Sequence, residues 1–119
     1  VTRKEIDGTI IRATGLLYQE RGTDSLSNLY NIKIENKTLN EIPVQLRLED
    51  EMGKAGKVEL VGTNNIHVKK EGQGAGSFFV VLPNSVIKSR KTRLRIGLYE
   101  GDKKITELST NFMGPFKRY

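Results

Sequence analysis

The feature that most restricts the fold of this 119-residue chain is a series of short segments in which apolar and polar residues alternate. The alternation is clear in Leu29–Glu35, in Val44–Leu48 and in Arg93–Tyr99. Successive side chains of a β-strand point to opposite faces, so a period of two is typical of strands that bury one face and expose the other. The pattern therefore predicts strands that pack as two-faced sheets.

The whole chain divides into about eight such segments at intervals of 8–12 residues, a spacing typical of β-sandwiches. The connections are too short for the crossovers that parallel strands need, so the strands are expected to pair antiparallel. The sequence thus predicts an all-β fold, an immunoglobulin-like antiparallel β-sandwich of about seven to eight strands. The predicted strands are Thr9–Ala13, Leu29–Glu35, Val44–Leu48, Lys57–Val61, Ile66–Lys69, Ser77–Leu82, Arg93–Tyr99 and Lys104–Phe112.

Glycine and acidic residues mark the predicted connections. Glu20–Asp24 has the composition of a turn, with Gly22 free to adopt a positive φ, and Gly101-Asp102 predicts a tight hairpin. Asp50–Gly56 and the glycine-rich Gly72–Gly76 are both predicted to be loops, the second one flexible. A phosphate-binding loop is not favoured at Gly72–Gly76, because such loops precede a helix and here a predicted strand follows.

The core has to form without the Cys…Trp…Cys signature of antibody domains, because the chain has no Cys and no Trp. The run Phe78–Leu82 is the most hydrophobic of the sequence and is predicted to be a central, buried strand. Alternating apolar residues from four strands are expected to fill the space between the sheets. The predicted core residues are Tyr30, Ile32, Leu46, Phe79, Val81, Ile96 and Leu98.

Composition excludes several kinds of chemistry. Without Cys, the chain has no disulfide and no thiolate ligand for zinc or an iron–sulfur cluster. It has one His, so no serine hydrolase triad can be assembled with support from the sequence. A copper(I) site formed by His67 and Met113 is a possible alternative, but no spacing motif supports it and Met is expected to fill gaps in the core. The sequence contains no run of about 18 apolar residues, so no membrane span is predicted.

Positive charge is concentrated in the second half of the chain. Residues 1–60 carry 9 Lys and Arg against 10 Asp and Glu, whereas residues 61–119 carry 11 against 4. The densest cluster gives a possible basic docking surface, in which residues 91, 93 and 95 share one face of a strand. Stacking aromatics beside it are few, so an acidic protein or anionic lipid is favoured over nucleic acid. The cluster consists of Lys88, Arg90, Lys91, Arg93 and Arg95.

Four segments, in this order and spacing, resemble one known family. The chain is similar to the C-terminal immunoglobulin-like domain of the FixG/CcoG proteins over about Arg12 to Pro115. The segments that carry the resemblance are Asn28-Leu29-Tyr30 with Lys33-Ile34 and Asn36-Lys37-Thr38, Phe78-Phe79-Val80 with Leu82-Pro83, Ile96-Gly97-Leu98-Tyr99, and Ser109-Thr110-Asn111-Phe112-Met113-Gly114-Pro115.

The resemblance implies a larger parent protein, a bacterial membrane polyferredoxin that takes part in assembly of the cbb3-type cytochrome c oxidase and in copper handling. Its iron–sulfur clusters would lie in a Cys-rich N-terminal part, so no cofactor is expected in this domain. Residues 1–8 are then expected to be the remnant of a linker and residues 9–119 the domain. The resemblance places this domain on the periplasmic side of the cytoplasmic membrane.

The expected function is that of a non-catalytic interaction domain. Its expected partners are its own membrane domain, oxidase subunits, a copper-delivery protein or anionic lipid headgroups. The alternative from another class is a secreted adhesin-like or ligand-binding sandwich, whose sugar-stacking candidates would be Tyr18, Tyr99, Phe116 and Tyr119.

Overall fold

The computed structural model describes residues 5–12, 18–62, 66–87 and 90–114, without the side chains of residues 51 and 52. These residues form strands, one short α-helix (α1) and a 3-10 helix after the seventh strand. The elements in chain order are β1 (Ile6–Arg12), β2 (Gln19–Arg21), β3 (Ser25–Asn36), β4 (Ile42–Leu48), α1 (Asp50–Ala55), β5 (Lys57–Leu60), β6 (Ile66–Val68), β7 (Gly72–Pro83), the 3-10 helix (Asn84–Val86), β8 (Lys91–Glu100) and β9 (Lys103–Met113).

Two antiparallel sheets pack face to face, which confirms the predicted β-sandwich. The first sheet has the strand order β1-β3-β7-β5, with β2 also paired to β3, and the second has the order β6-β4-β8-β9. The described residues contain nine strands because Gln19–Arg21, which overlaps the start of the turn predicted at Glu20–Asp24, forms the three-residue strand β2. Gly22 in that turn has φ +67°, and Gly101 in the β8–β9 hairpin has φ +61°, as the turn predictions require.

The core follows the predicted alternation in β3, β4 and β8. Tyr30 and Ile32 of β3 are almost fully buried, and the Tyr30 ring stacks on Phe78 with centroids 5.2 Å apart. The prediction is wrong for Phe79 of the central strand β7, because Phe78, Val80 and Leu82 form its inner face. Val81 is buried as predicted, at 8 % exposure, but on the same side of the strand as Phe79, since Tyr30 pairs with Phe78 and the register fixes which residues face inward.

The predicted flexible loop at Gly72–Gly76 is instead the first part of β7. Its glycines occupy alternate positions and face β6, the short edge strand of the other sheet. A Cβ on Gly74 would lie 3.0 Å from Val68 Cγ2 and 3.1 Å from the His67 carbonyl oxygen, and a Cβ on Gly76 would lie 3.0 Å from Ile66 Cδ1. The glycines therefore permit a close approach between two strands, which is a recognised use of glycine inside a strand.

The predicted loop at Asp50–Gly56 also needs correction, because Asp50–Ala55 forms α1. The helix is too short for a 3.6-residue repeat to be visible in the sequence, and it contains Gly53 in its middle. Gly53 donates its backbone N–H to the Glu49 carbonyl oxygen at 3.2 Å. The helix connects β4 of the second sheet to β5 of the first, across one end of the sandwich.

Candidate docking surface

The predicted basic cluster lies where β8 extends beyond its neighbour β4. Only Ile96 to Tyr99 of β8 pair with β4, so the first half of β8 is paired with β9 alone. On the outer face of this two-stranded part, Lys91, Arg93 and Arg95 are all exposed, as the alternation predicts. Their partners across β9 are uncharged: Met113, Asn111 and Ser109, respectively.

Arg95 is neutralised by carboxylates that the single-strand pattern could not reveal. Its guanidinium lies 2.9 Å from a carboxylate oxygen of Glu107 in β9 and 3.1 Å from one of Asp50 in α1. The hydrogen bond to Glu107 and the charge of Asp50 both raise the pKa of Arg95. Arg95 is thus part of the structure of this face and offers little charge to a partner.

Arg93 differs from Arg95, because it makes no ion pair or hydrogen bond to any described residue and is exposed. Lys91 and Arg90 are exposed beside it. Lys88, the remaining member of the predicted cluster, lies outside the described residues. We call the three residues Arg90, Lys91 and Arg93 the β8 cationic surface.

Below this surface, the outer face of the second sheet carries a compact polar network. Lys104 Nζ lies 2.7 Å from Glu107 and 3.0 Å from Glu49, and the Tyr99 hydroxyl donates a hydrogen bond of 2.7 Å to Glu49. Partial burial raises the pKa of Glu49, but the hydrogen bonds from Tyr99 and Lys104 outweigh it and keep that pKa below its usual range. The pKa of Glu107 is lowered by Lys104 and Arg95.

Gly97 makes this network possible. It lies opposite Arg47 of β4 and Glu107 of β9. Because Gly97 has no side chain, there is room above it for the side chains of Glu49 and Tyr99. A Cβ on Gly97 would overlap the carboxylate of Glu49 and lie 2.6 Å from Tyr99 Cε1. The guanidinium of Arg47 covers the ring of Tyr99, with 4.3 Å between its Cζ and the ring centroid.

On the inner face, Asn28 holds the end of β9 against the first sheet. Gly114 donates its N–H to the carbonyl oxygen of Arg90, the residue before β8, so the adjacent peptide groups of Met113 point away from β8. The Asn28 side chain accepts the Met113 N–H at 2.7 Å and donates to the Met113 carbonyl at 3.0 Å. Tyr30 donates to the Asn111 carbonyl at 2.7 Å, and burial raises the pKa of this tyrosine. These two side chains fix β9, the strand that pairs with β8 beside the candidate docking surface.

Asn36 plays a similar part at the opposite end of β3. It is 1 % exposed, and its Nδ2 donates to the carbonyl oxygens of Asn40 (2.8 Å) and Val68 (3.2 Å). Its Oδ1 accepts from the backbone N–H and the hydroxyl of Thr38. The sequence Asn36-Lys37-Thr38 is therefore a structural turn that the Asn36 side chain holds together.

The structure gives no support to the copper alternative. His67 pairs with Pro43 at one end of the second sheet, whereas Met113 pairs with Lys91 at the other. These two pairs are ten strand positions apart along the sheet, which is about 30 Å, so the two side chains cannot bind one ion. Within the described ranges, no group of three or more His, Cys, Asp or Glu residues has the geometry for a metal ion.

The predicted sugar-stacking aromatics do not form an open platform either. Tyr18 packs against the core, and Tyr99 lies beneath Arg47. Phe116 and Tyr119 lie outside the described residues. In the part of the chain that is described, no helix is both long and apolar enough to cross a membrane.

Comparison with known proteins agrees with the fold and with the resemblance of the sequence. A family model described as "IG-like fold at C-terminal of FixG, putative oxidoreductase" matches residues 1–115. The chain belongs to the FixG C-terminal domain family. A solved structure of a FixG-related protein from Vibrio parahaemolyticus superposes with a TM-score of 0.69 at 19 % identity, covering 92 % of this chain and 95 % of that one. A search of the curated proteins finds no match.

The segments that resemble FixG are mainly structural in this FixG-type domain. Asn28 and Tyr30 fasten β9, Asn36 organises a turn, and Gly97 makes room for the polar network. Sequence analysis did not find these contacts, because each of them joins residues on different strands. The candidate docking surface, by contrast, includes side chains whose exposure the alternation of β8 predicts.

Proposed function

We propose that this chain is the non-catalytic interaction domain of a FixG-like membrane iron–sulfur protein, and that it docks a partner during assembly of a cbb3-type cytochrome c oxidase and its copper supply. The chain contains no Cys, so its residues do not fit an iron–sulfur cluster held by thiolates. The redox chemistry then belongs to the rest of the parent protein. In this proposal the parent is anchored in the bacterial cytoplasmic membrane and the domain faces the periplasm.

The observation that carries the proposal is the contrast between Arg93 and Arg95. Arg95 has two carboxylate partners, whereas Arg93 is exposed, faces the uncharged Asn111 across the ladder and has no partner among the described residues. A cation that contributes no ion pair to the described residues can form one with a partner at no cost to an ion pair among them. Charged rims of this kind mainly direct association and set its dependence on salt.

The candidate partners to be tested are the oxidase subunits and a copper-delivery protein. The experiment uses the parent protein in its own membrane. We expect the double variant Lys91→Gln/Arg93→Gln to reduce both the co-purification of oxidase subunits with the parent protein and the yield of assembled oxidase. Surface charge changes of this kind alter stability by only about 0.5 kcal/mol, so the variant should fold normally.

The matched control is Lys69→Gln/Lys70→Gln, which removes two exposed cations at the other end of the sandwich. Reduction of cupric ion by the purified parent should be the same in both variants, because neither changes a redox centre. Equal oxidase yield in the two variants would contradict the proposed docking role. Loss of cupric reduction in the first variant alone would contradict the non-catalytic role of the domain.

A further inference from the structure

The ends of the described domain lie far apart, and the β8 cationic surface belongs to only one of them. β1 begins at Ile6, which pairs with Asn36 at the end of β3. β9 ends at Met113, which pairs with Lys91 at the start of β8. The molecule is 53 Å long and only 27 Å by 22 Å across. In FixG the immunoglobulin-like fold is C-terminal, so the rest of such a protein precedes the domain and joins it at the end where β1 begins.

The hydrogen bonds of the core fix how far Arg93 lies from this junction. Arg93 pairs with Asn111, whose carbonyl accepts the Tyr30 hydroxyl, and Tyr30 pairs with Arg12. Arg12 is six strand residues beyond Ile6, a rise of about 20 Å. The Debye length is about 8 Å at physiological ionic strength, so the potential of a charged membrane at the junction would fall roughly tenfold at the level of Arg93.

A domain lying on its side would gain no attraction to anionic lipid from the area that adjoins this surface. The outer face of the second sheet continues from Arg93 into the polar network, where Arg95 and Lys104 face three carboxylates. With Arg47, which covers Tyr99, and its ion-pair partner Asp102 included, this adjoining area has a net charge of −1, from four carboxylates against three cations. Anionic headgroups would therefore gain no net attraction from the area next to the β8 cationic surface.

We propose that the β8 cationic surface binds an acidic protein surface, and that it does so about 20 Å or more beyond the point where the domain joins its parent protein. The inference rests on the proposed function, since it takes the parent to be anchored in a membrane. Beyond the proposed function, the inference says that the partner is an acidic protein. It also says that the lipid headgroups around the parent protein are not the partner. The domain then acts as a rigid spacer, which holds the cationic surface away from the membrane.

The first test measures the acidic ligand directly, with the 119-residue chain and a fluorescent hexaglutamate peptide at 50 mM NaCl. Loss of one interacting charge should weaken binding about fivefold in Arg93→Gln. Lys33→Gln removes an exposed cation on the outer face of the first sheet and should leave binding unchanged. Equal affinity for the peptide in the two variants would overturn the inference.

The second test asks whether the surface contacts lipid. Because the chain has no Cys, one introduced Cys carries a single fluorophore. Ser109→Cys places the fluorophore beside Arg95, and Lys70→Cys, in a second variant, places it near the junction. The chain is tethered by an N-terminal hexahistidine tag to vesicles of phosphatidylcholine that contain a nickel-chelating lipid and an acceptor dye. We expect less energy transfer from position 109 than from position 70, with no increase when 30 mol% phosphatidylglycerol is added.

An increase at position 109 on adding phosphatidylglycerol, lost again in Arg93→Gln, would show that the surface binds lipid and would overturn the inference. These outcomes are separate from those of the proposed function. Oxidase assembly that is insensitive to Lys91→Gln/Arg93→Gln would refute the docking role, even if the isolated chain binds hexaglutamate. Loss of assembly together with lipid-dependent energy transfer would keep the docking role and change only the partner.

Discussion

Replacing Asn28 by Ala tests whether the end of β9 depends on a single side chain. Asn28 is 2 % exposed and makes two hydrogen bonds to the backbone of Met113, one as donor and one as acceptor. In Asn28→Ala both backbone groups lose their partner in a partly buried position. A lost partner of this kind costs about 1–2 kcal/mol for each group, so we expect a loss of about 2–4 kcal/mol in the free energy of unfolding.

For a chain of this length, 1 kcal/mol corresponds to a shift of about 4 °C in Tm, so Asn28→Ala should melt about 8–16 °C lower. The control is Asn31→Ala in the same strand, since Asn31 is exposed and, among the described residues, its side chain accepts a hydrogen bond only from the Ser77 hydroxyl, at 2.8 Å. Calorimetry of the two variants measures the difference. Hydrogen exchange should also show that the Met113 amide loses protection in Asn28→Ala alone. Equal melting temperatures, or a Met113 amide that remains protected, would refute the assignment.

Two further predictions concern other parts of the sandwich. Gly74→Ala should destabilise the fold by about 1–3 kcal/mol in urea titration, because its Cβ would press on Val68 and the backbone of β6; an unchanged midpoint would mean that β6 can move away freely. The pKa values of Glu49 and Glu107 are lowered in the folded state, so their contribution to stability is complete above their unfolded values near 4.3 and is lost as pH falls through the lower folded values. Acid titration of Glu107→Gln should show a smaller loss than the wild type, and parallel curves would contradict this.

Much of the fold could be predicted from the sequence because most strands expose one face. The alternation in β3, β4 and β8 fixes both their position and their buried face. In β7 the run of five apolar residues from Phe78 has no alternation, so the inner face depends on pairing with β3. The glycines before Phe78 have the composition of a loop, but pairing with β3 makes them part of a strand, and the close approach of β6 explains why they are glycines.

The candidate site was predictable in part for a related reason. The exposure of Lys91, Arg93 and Arg95 follows from the period of β8 alone. Which of these cations is neutralised depends on Glu107 and Asp50, which come from β9 and from α1. Charge compensation across strands is a property of the register, and the register cannot be obtained from any single segment.

The contacts of Asn28 and Tyr30 also bear on how crowded copies of this domain behave. A free strand edge offers unpaired N–H and C=O groups to another chain and can start aggregation. At the end of β9, the groups of Met113 and the carbonyl of Asn111 that point away from β8 are already occupied by these two side chains. A neighbouring copy therefore cannot use these three backbone groups to extend the sheet. Where molecules are held at high local density on a surface, this part of the edge gives sheet polymerisation three fewer backbone groups from which to start.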